Sequence, residues 1–386
     1  MHRASLHRHL VVTGFFLFFL LGVSSGRSGA MNPSGFEIHR GVNLSHWLSQ
    51  TAGWPAKEGF ITERDIRFID SIGYDHVRIP IDEPELWDDG GKPIESSFAL
   101  LTKCLDWCAK YHLRAIVDLH ILRAHYFNAA NEGKSNVLWT DTNAQSNFLR
   151  LWSELSGRLK TYPLSMVAYE LMNEPVAPDP DDWNRLIDKA VRRLRALEPQ
   201  RVLVIGSNMW QTPGTFPSLR IPANDPNIIL SMHTYSPIVF THHLADWVSF
   251  RSYKGPVHYP GQVVADADYA KLVEPDSALA KAMAGSREAW NKQRLAEELL
   301  PAITKAKELG LQLYCGEFGC LPHVERNDRL AYYRDAVSLF AEHQIAYCNW
   351  EYKGDFGIYT FDFKKHTSLA PDDALIQILT GRSRSK

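Results

Sequence analysis

Apolar residues follow two alternating rhythms along this chain. Short continuous runs such as Met166-Val167-Ala168-Tyr169-Glu170-Leu171 and Leu311-Gln312-Leu313-Tyr314-Cys315-Gly316 are separated by longer stretches in which apolar positions recur three or four apart. The first pattern predicts strands buried on both faces, and the second predicts amphipathic helices. Strands are expected at Ile38–Asn43, His76–Ile79, Leu113–Leu119, Met166–Leu171, Arg201–Gly206, Ile228–His233, Leu311–Gly316 and Ala346–Asn349. Helices are expected at Thr62–Ile72, Phe98–Tyr111, Asn143–Lys160, Asp181–Leu197, Trp290–Leu309 and Asp328–His343, with a weaker one near Asp372–Leu379. Thr62 and Asp181 are the expected caps. After the fifth strand the helical pattern is broken by Pro213, Gly214 and Pro217.

Strand and helix patterns alternate without a low-complexity linker, which predicts one α/β domain over residues 31–386. A doubly wound open sheet has the same local rhythm, but eight predicted strands favour a closed (β/α)₈ TIM barrel. Between the sixth strand and the next helix, the stretch from Thr234 to about Arg287 is too long for an ordinary loop. It holds Tyr235, Phe240, Trp247, Phe250, Tyr253 and Tyr259, a density that argues against disorder and suggests an insertion forming a lid or cleft wall.

Composition narrows the setting. The N-terminus has a basic stretch (His2, Arg3, His7, Arg8, His9), an apolar run from Leu10 to Val23, and small residues up to Ala30. This is the three-part pattern of a secretory signal peptide over residues 1–30, and a spanning helix needs about 17–25 apolar residues. A secreted or periplasmic protein with no lasting membrane anchor is expected. The formal net charge of −2 gives no reason to expect nucleic acid as a partner. The five cysteines do not form a disulfide framework, and Cys104 and Cys108, four apart on a predicted helix, are read as two buried thiols. Neither a cofactor nor a metal site is called for: His242-His243 lacks a matching acidic cluster, and adjacent side chains rarely meet at one ion. Arg192, Arg193 and Arg195 lie among Asp181, Asp182, Asp188 and Glu198, which makes a solvated helix face.

In a barrel of this kind the reacting groups sit where the strands end. Those ends carry Asn43, Arg78, His120, Asn173 with Glu174, His233 with Tyr235, Glu317 and Trp350, with the fifth end bare. Taken singly, each has an ordinary structural reading. These readings are Arg78 bridging Asp82, His120 as a satisfied interior histidine, and Asn173-Glu174-Pro175 as a turn. Together they suggest chemistry, because buried polar groups are costly unless paired or used.

Two carboxyls at two strand ends can cleave a glycosidic bond: one protonates the departing oxygen, and the other attacks the sugar carbon or activates water. Asn173 is suited to the sugar 2-hydroxyl, and Arg78 and Tyr235 are suited to keeping Glu317 charged. Glu174 is expected to have a raised pKa, with His120 and His233 as tuning or hydroxyl-binding groups. Trp47, Trp54, Trp139, Trp210 and Trp350 follow strand ends and are candidate stacking surfaces for sugar rings, whereas Trp107, Trp152 and Trp183 lie on helices and are assigned to packing.

The motifs Val77-Arg78-Ile79-Pro80, Asp118-Leu119-His120, Asn173-Glu174-Pro175, His233-Thr234-Tyr235, Gly316-Glu317-Phe318-Gly319 and Asn349-Trp350 resemble glycoside hydrolase family 5, the cellulase-like retaining barrel enzymes. That resemblance implies Glu174 as general acid/base and Glu317 as nucleophile, with Arg78, His120, Asn173, His233, Tyr235 and Trp350 completing the set. It also implies Trp350 as the floor of the central subsite, often through a cis peptide. The stretch Arg40 to Leu48 is similar to the start of exo-acting β-1,3-glucanases in the family, but the third strand runs on as Leu119-His120-Ile121-Leu122-Arg123-Ala124-His125-Tyr126 instead of in their glycine-rich form. The expected function is hydrolysis of a β-glucan (β-1,4, β-1,3 or mixed linkage) by a monomer acting on a β-linked polysaccharide or oligosaccharide. A β-mannanase or other hemicellulase, a transglycosylase, and a non-catalytic carbohydrate-binding barrel are the alternatives.

Overall fold

The structure is a computed structural model describing residues 33–51, 57–128, 136–272, 278–362 and 367–383. The expected leader at 1–30 and Trp54 lie outside the described residues. Eight parallel strands close into a barrel: β1 (Arg40–Asn43), β2 (His76–Asp82), β3 (Arg114–Ile121), β4 (Val167–Glu170), β5 (Leu203–Gly206), β6 (Ile228–Thr234), β7 (Gln312–Phe318) and β8 (Ala346–Asn349). Each predicted strand is present, with ends shifted by at most three residues and Ala346–Asn349 matched at both ends. The longer helices packed around them are α1 (Glu63–Ser71), α2 (Glu95–Lys110), α3 (Thr142–Leu159), α4 (Pro180–Leu197), α5 (Lys292–Leu309), α6 (Arg326–Glu342) and α7 (Asp373–Thr380).

Local chemistry sets the helix ends. The Asp65 carboxylate accepts from the Thr62 amide at 2.8 Å at the start of α1, the reciprocal half of a capping box. The cap of α4 is Asp179, which accepts from Asp181 N–H at 2.9 Å, and not Asp181 itself. Pro180 takes the first helical position, where a missing N–H costs nothing. Between β5 and β6 lie a four-residue helical turn, Asn208–Gln211, and a short 3₁₀ segment, Pro213–Ser218, which holds the prolines. A small sheet of Lys353–Gly354, Tyr359–Asp362 and Thr367–Pro371 follows β8, and the sequence patterns did not reveal it.

The alternation of strand side chains divides the core. On β2, Val77, Ile79 and Ile81 point outward into the large core between sheet and helices. The barrel interior begins with an apolar plug that includes Phe36, Ile38, Ile116, Ala168, Val204, Ile229 and Tyr314. Above it the interior turns polar, with Arg78, Asp118, Glu170, Ser231 and Asn349 all fully buried. That polar layer supports the rim where the strands end.

The segment between β6 and α5 carries a short helix at Ile238–Thr241, a two-stranded ribbon of Gly261–Gln262 with Ala289–Trp290, and helices at Asp266–Leu272 and Ala278–Ala282. Phe240, Phe250, Tyr253 and Tyr259 bury their rings in the main core. Much of the aromatic content of this segment therefore packs it onto the barrel.

Candidate active site

Arg78 organises the rim from below. Its guanidinium is fully buried and has five acceptor oxygens within 3.0 Å: Glu170 Oε2 at Nε (2.6 Å), Asn43 Oδ1 (3.0 Å) and Glu317 Oε1 (2.7 Å) at one terminal nitrogen, and Asn173 Oδ1 (2.9 Å) and Asp118 Oδ2 (2.9 Å) at the other. A rigid fork with five N–H groups is the side chain that can satisfy such a set. Arg78 therefore bridges Asp118, Glu170 and Glu317, and the simple pairing with Asp82 is not what forms. One cation facing three buried carboxyls leaves excess negative charge, which favours proton uptake by the group. Burial raises Asp118 to about 7 against the opposing pull of Arg78, and burial raises Glu170 as well.

Glu317 lies inside β7 and is held at both oxygens, by Arg78 and by the Tyr235 hydroxyl, which donates to Oε2 at 2.9 Å. Burial raises its pKa, whereas Arg78, His120 and the Tyr235 hydrogen bond pull the other way. Tyr235 keeps its proton, because burial and the Glu317 charge push its pKa well above the usual phenol value. A register shift brings His233 opposite Glu317, with Gly316 as the extra residue. A Cβ at Gly316 would meet Ser231 Oγ at 2.8 Å and His233 Nε2 at 3.0 Å, so only glycine allows this bulge to close.

Glu174 is held differently. It follows β4 in a left-handed conformation (φ 43°), and its amide donates to Gln211 Oε1 at 2.8 Å. Its carboxyl meets His233 Nδ1 at 2.9 Å, and among the described residues no Lys or Arg pairs with it. Burial, then the negative charge of Glu317, raise its pKa well above the usual carboxylate range. His233 stays neutral, its pKa pushed well down by burial and by Arg78. Both shifts favour a proton on the Glu174 carboxyl over one on the His233 imidazole. One oxygen of each carboxyl and His233 Nδ1 or Nε2 lie within 4.8 Å of one another. As a metal-binding set these three groups are poor, because both Glu317 oxygens are already taken and an ion would stand beside the Arg78 guanidinium.

The remaining predicted residues divide into rim and core. Asn173 is buried and accepts from Arg78, while its amide nitrogen has no partner and is available to a bound hydroxyl. His120 stacks on Trp350 with centroids 5.6 Å apart at 10° and has its pKa lowered to about 4 by burial. The Trp350–Glu351 peptide is cis. Asn43 uses its amide on the Gly316 and Asn349 carbonyls and its oxygen on Arg78, a supporting tie with no atom left for a ligand. Trp210 is half-buried at the rim and donates to the Phe127 carbonyl. Trp47 is the correction: it is 1 % exposed, packed in the main core, with its indole N–H on the Lys57 carbonyl, so it offers no stacking face. Trp139 is likewise buried, against His125 and Trp183.

Several functional groups escaped the sequence reading. Glu170 and Asp118 were visible as charges inside otherwise apolar strand runs, which signals a buried counter-ion. Gln211 and Asn208, which supply polar groups at the bare fifth strand end, had no such signal. All five cysteines are free and buried, so Cys315 and Cys320 do not bridge.

Comparison with known proteins places the chain in a family. The sequence profile described as Cellulase (glycosyl hydrolase family 5) matches residues 31–355. Endoglucanase C of Acetivibrio thermocellus is 34% identical over 330 residues, covering 84% of this chain and 94% of that protein. Cellodextrinase A of Ruminococcus flavefaciens is 29% identical over 313 residues, covering 80% and 84%. Among solved structures, Thermotoga maritima Cel5A in complex with cellobiose superposes with a TM-score of 0.70 at 22% identity, covering 89% of this chain and 97% of that one. With the eight-stranded barrel, the family motifs on its strand ends and a profile match over most of its length, the chain belongs to glycosyl hydrolase family 5 and is a glycosyl hydrolase.

Proposed function

We propose that this protein is an exported hydrolase of β-glucans that works by double displacement with retention of configuration, Glu317 acting as nucleophile and Glu174 as general acid/base. The observation that carries this reading is that one oxygen of Glu174 and one of Glu317 lie within 4.8 Å of each other while the surroundings of the two carboxyls differ in charge. Retaining pairs stand about 5–5.5 Å apart and inverting pairs about 6.5–9.5 Å apart, to leave room for a water. Two relatives, Endoglucanase C and Cellodextrinase A, are named for glucan and cellodextrin hydrolysis, which supports the substrate class. Export rests on the leader-like pattern at 1–30; no helix among the described residues is long and apolar enough to cross a membrane.

In the first step a Glu317 oxygen forms a bond to the anomeric carbon as the glycosidic C–O bond breaks, and Glu174 gives its proton to the departing oxygen. Arg78 and Tyr235 keep Glu317 aligned and anionic until it reacts. The unpartnered Asn173 amide donates to the sugar 2-hydroxyl, a bond that strengthens as positive charge develops on the ring. In the second step Glu174, now ionised, takes a proton from water, the water oxygen bonds to the anomeric carbon, and the bond to Glu317 breaks. His233, beside Glu174, has its pKa pushed well down by burial and by Arg78, which disfavours transfer of the proton to it.

The test is reducing-sugar release from β-1,4-glucan, β-1,3-glucan, mixed-linkage glucan, mannan and xylan by the wild type and Glu317→Gln. Release from at least one glucan, lost in the variant, is expected. Retention of most of the rate by Glu317→Gln would remove the nucleophile assignment, and release confined to mannan or xylan would remove the substrate class.

A further inference from the structure

Gln211 belongs to neither of the paired carboxyls but is tied to both. The side chain is completely buried, five residues beyond the end of β5. Its oxygen accepts from the Glu174 amide at 2.8 Å, and its amide group donates to Ser231 Oγ at 3.0 Å and to Glu170 Oε1 at 3.2 Å. The other Glu170 oxygen accepts from Arg78 at 2.6 Å, and Arg78 donates to Glu317 at 2.7 Å. A continuous hydrogen-bonded path therefore runs from the main chain of Glu174 through Gln211, Glu170 and Arg78 to the carboxylate of Glu317.

Delivering Gln211 requires an unusual turn. Met209, Trp210 and Gln211 all have positive φ (48°, 59° and 54°), a left-handed run that residues with a Cβ rarely adopt. The turn clasps the segment behind Glu174 at further points. Asn208 pairs with Ala177 in both directions at 2.8 Å, and the Trp210 amide reaches the Pro175 carbonyl at 3.3 Å. Gly206 leaves the room, since a Cβ there would lie 2.2 Å from the Gln211 amide nitrogen. Glu174 is itself left-handed, so its amide direction is one the chain would not choose unaided.

We propose that Gln211 is a positioning residue for proton transfer: it holds the Glu174 main chain in its left-handed state and registers it against the Arg78–Glu317 unit. The inference rests on Glu174 being the acid/base. Losing Gln211 frees the Glu174 peptide to relax while Arg78 still grips Glu317. The defect should therefore fall on protonation of the leaving group and spare attack by the nucleophile.

Leaving-group dependence reads this directly. An aryl β-cellobioside with a 2,4-dinitrophenolate leaving group departs without a proton, whereas a glucan or cello-oligosaccharide needs one. For Gln211→Met, kcat/KM on cello-oligosaccharide should fall about 10-fold or more, a part of the 10²–10⁴ that general acid catalysis supplies. On the dinitrophenyl substrate it should fall less than about 3-fold, since no proton is required there. Gln211→Asn, which keeps both polar ends but is one methylene too short to span them, should show the same selectivity and serves if the Met variant does not fold. Equal losses on both substrates would mean a general structural role and overturn the proposal, as would no loss on either. Glu174→Ala runs in parallel: if it too lacks leaving-group selectivity, the acid/base reading itself fails, which separates the two conclusions.

Discussion

Removing one oxygen atom, in Tyr235→Phe, tests how Glu317 is kept charged. The Tyr235 ring is wedged edge-on against His242 at 5.0 Å and Phe356 at 5.9 Å, contacts that phenylalanine preserves. What disappears is the 2.9 Å hydrogen bond to Glu317 Oε2, while Arg78 remains on Oε1 at 2.7 Å. A hydrogen bond to a charged group is worth about 1.5–3 kcal/mol, and about 1.4 kcal/mol corresponds to one pKa unit. Because the bond favours the ionised form, its loss raises the Glu317 pKa by about 1–2 units and moves the acid limb of the kcat/KM profile upward by that amount. At a pH on that limb activity falls about 10–100-fold; on the plateau, where Glu317 is ionised in both proteins, the fall is smaller. The assay is kcat/KM on a soluble cello-oligosaccharide across the acid range, with a thermal melt to establish that the variant is folded. A folded variant whose acid limb does not move would refute the reasoning.

Further predictions follow from the buried charges. Lysine at position 78 brings three donors to a place where five oxygens lie within 3.0 Å, so Arg78→Lys should lower unfolding free energy by about 2–5 kcal/mol and kcat/KM by at least about 100-fold. Urea unfolding and steady-state kinetics check it, and near-wild-type values for both would contradict the central role given to Arg78. His46 is paired with the buried Glu351, next to Trp350, at 3.2 Å. Burial alone would lower its pKa, yet the charge and hydrogen bond of Glu351 together outweigh that and raise it from 6.5 to about 9. A raised folded-state pKa contributes stability that is complete below 6.5 and lost as pH rises through 9. The stability difference between wild type and His46→Gln should therefore shrink by on the order of 3 kcal/mol across that window. A difference constant with pH would remove the pairing as its cause.

The strands were legible because parallel strands buried on both faces read as unbroken apolar runs, as in Ile228 to His233, and because reacting groups in such barrels follow strand ends. Glu174 and Glu317 stood out on that ground, and the structure brings them to one point with Arg78, Asn173, His233 and Tyr235. Features set by backbone conformation were not legible. Gln211 reaches the site only through three consecutive left-handed residues, none a glycine, and no apolar periodicity records that. Trp47 follows a strand end as sugar-stacking residues do, but the chain turns it inward, which depends on Lys57 ten residues later. The Asp179 cap was missed because Pro180 was not counted as the first residue of its helix.

The assignment of Glu317 as nucleophile is tested most directly by identifying the residue that carries a trapped sugar. Incubation with 2,4-dinitrophenyl 2-deoxy-2-fluoro-β-cellobioside, followed by intact-mass and peptide analysis, should give one glycosyl unit per chain on the peptide containing Glu317. Attachment to Glu174 or any other residue, or turnover of the compound to an α-configured product with no label, would contradict the account.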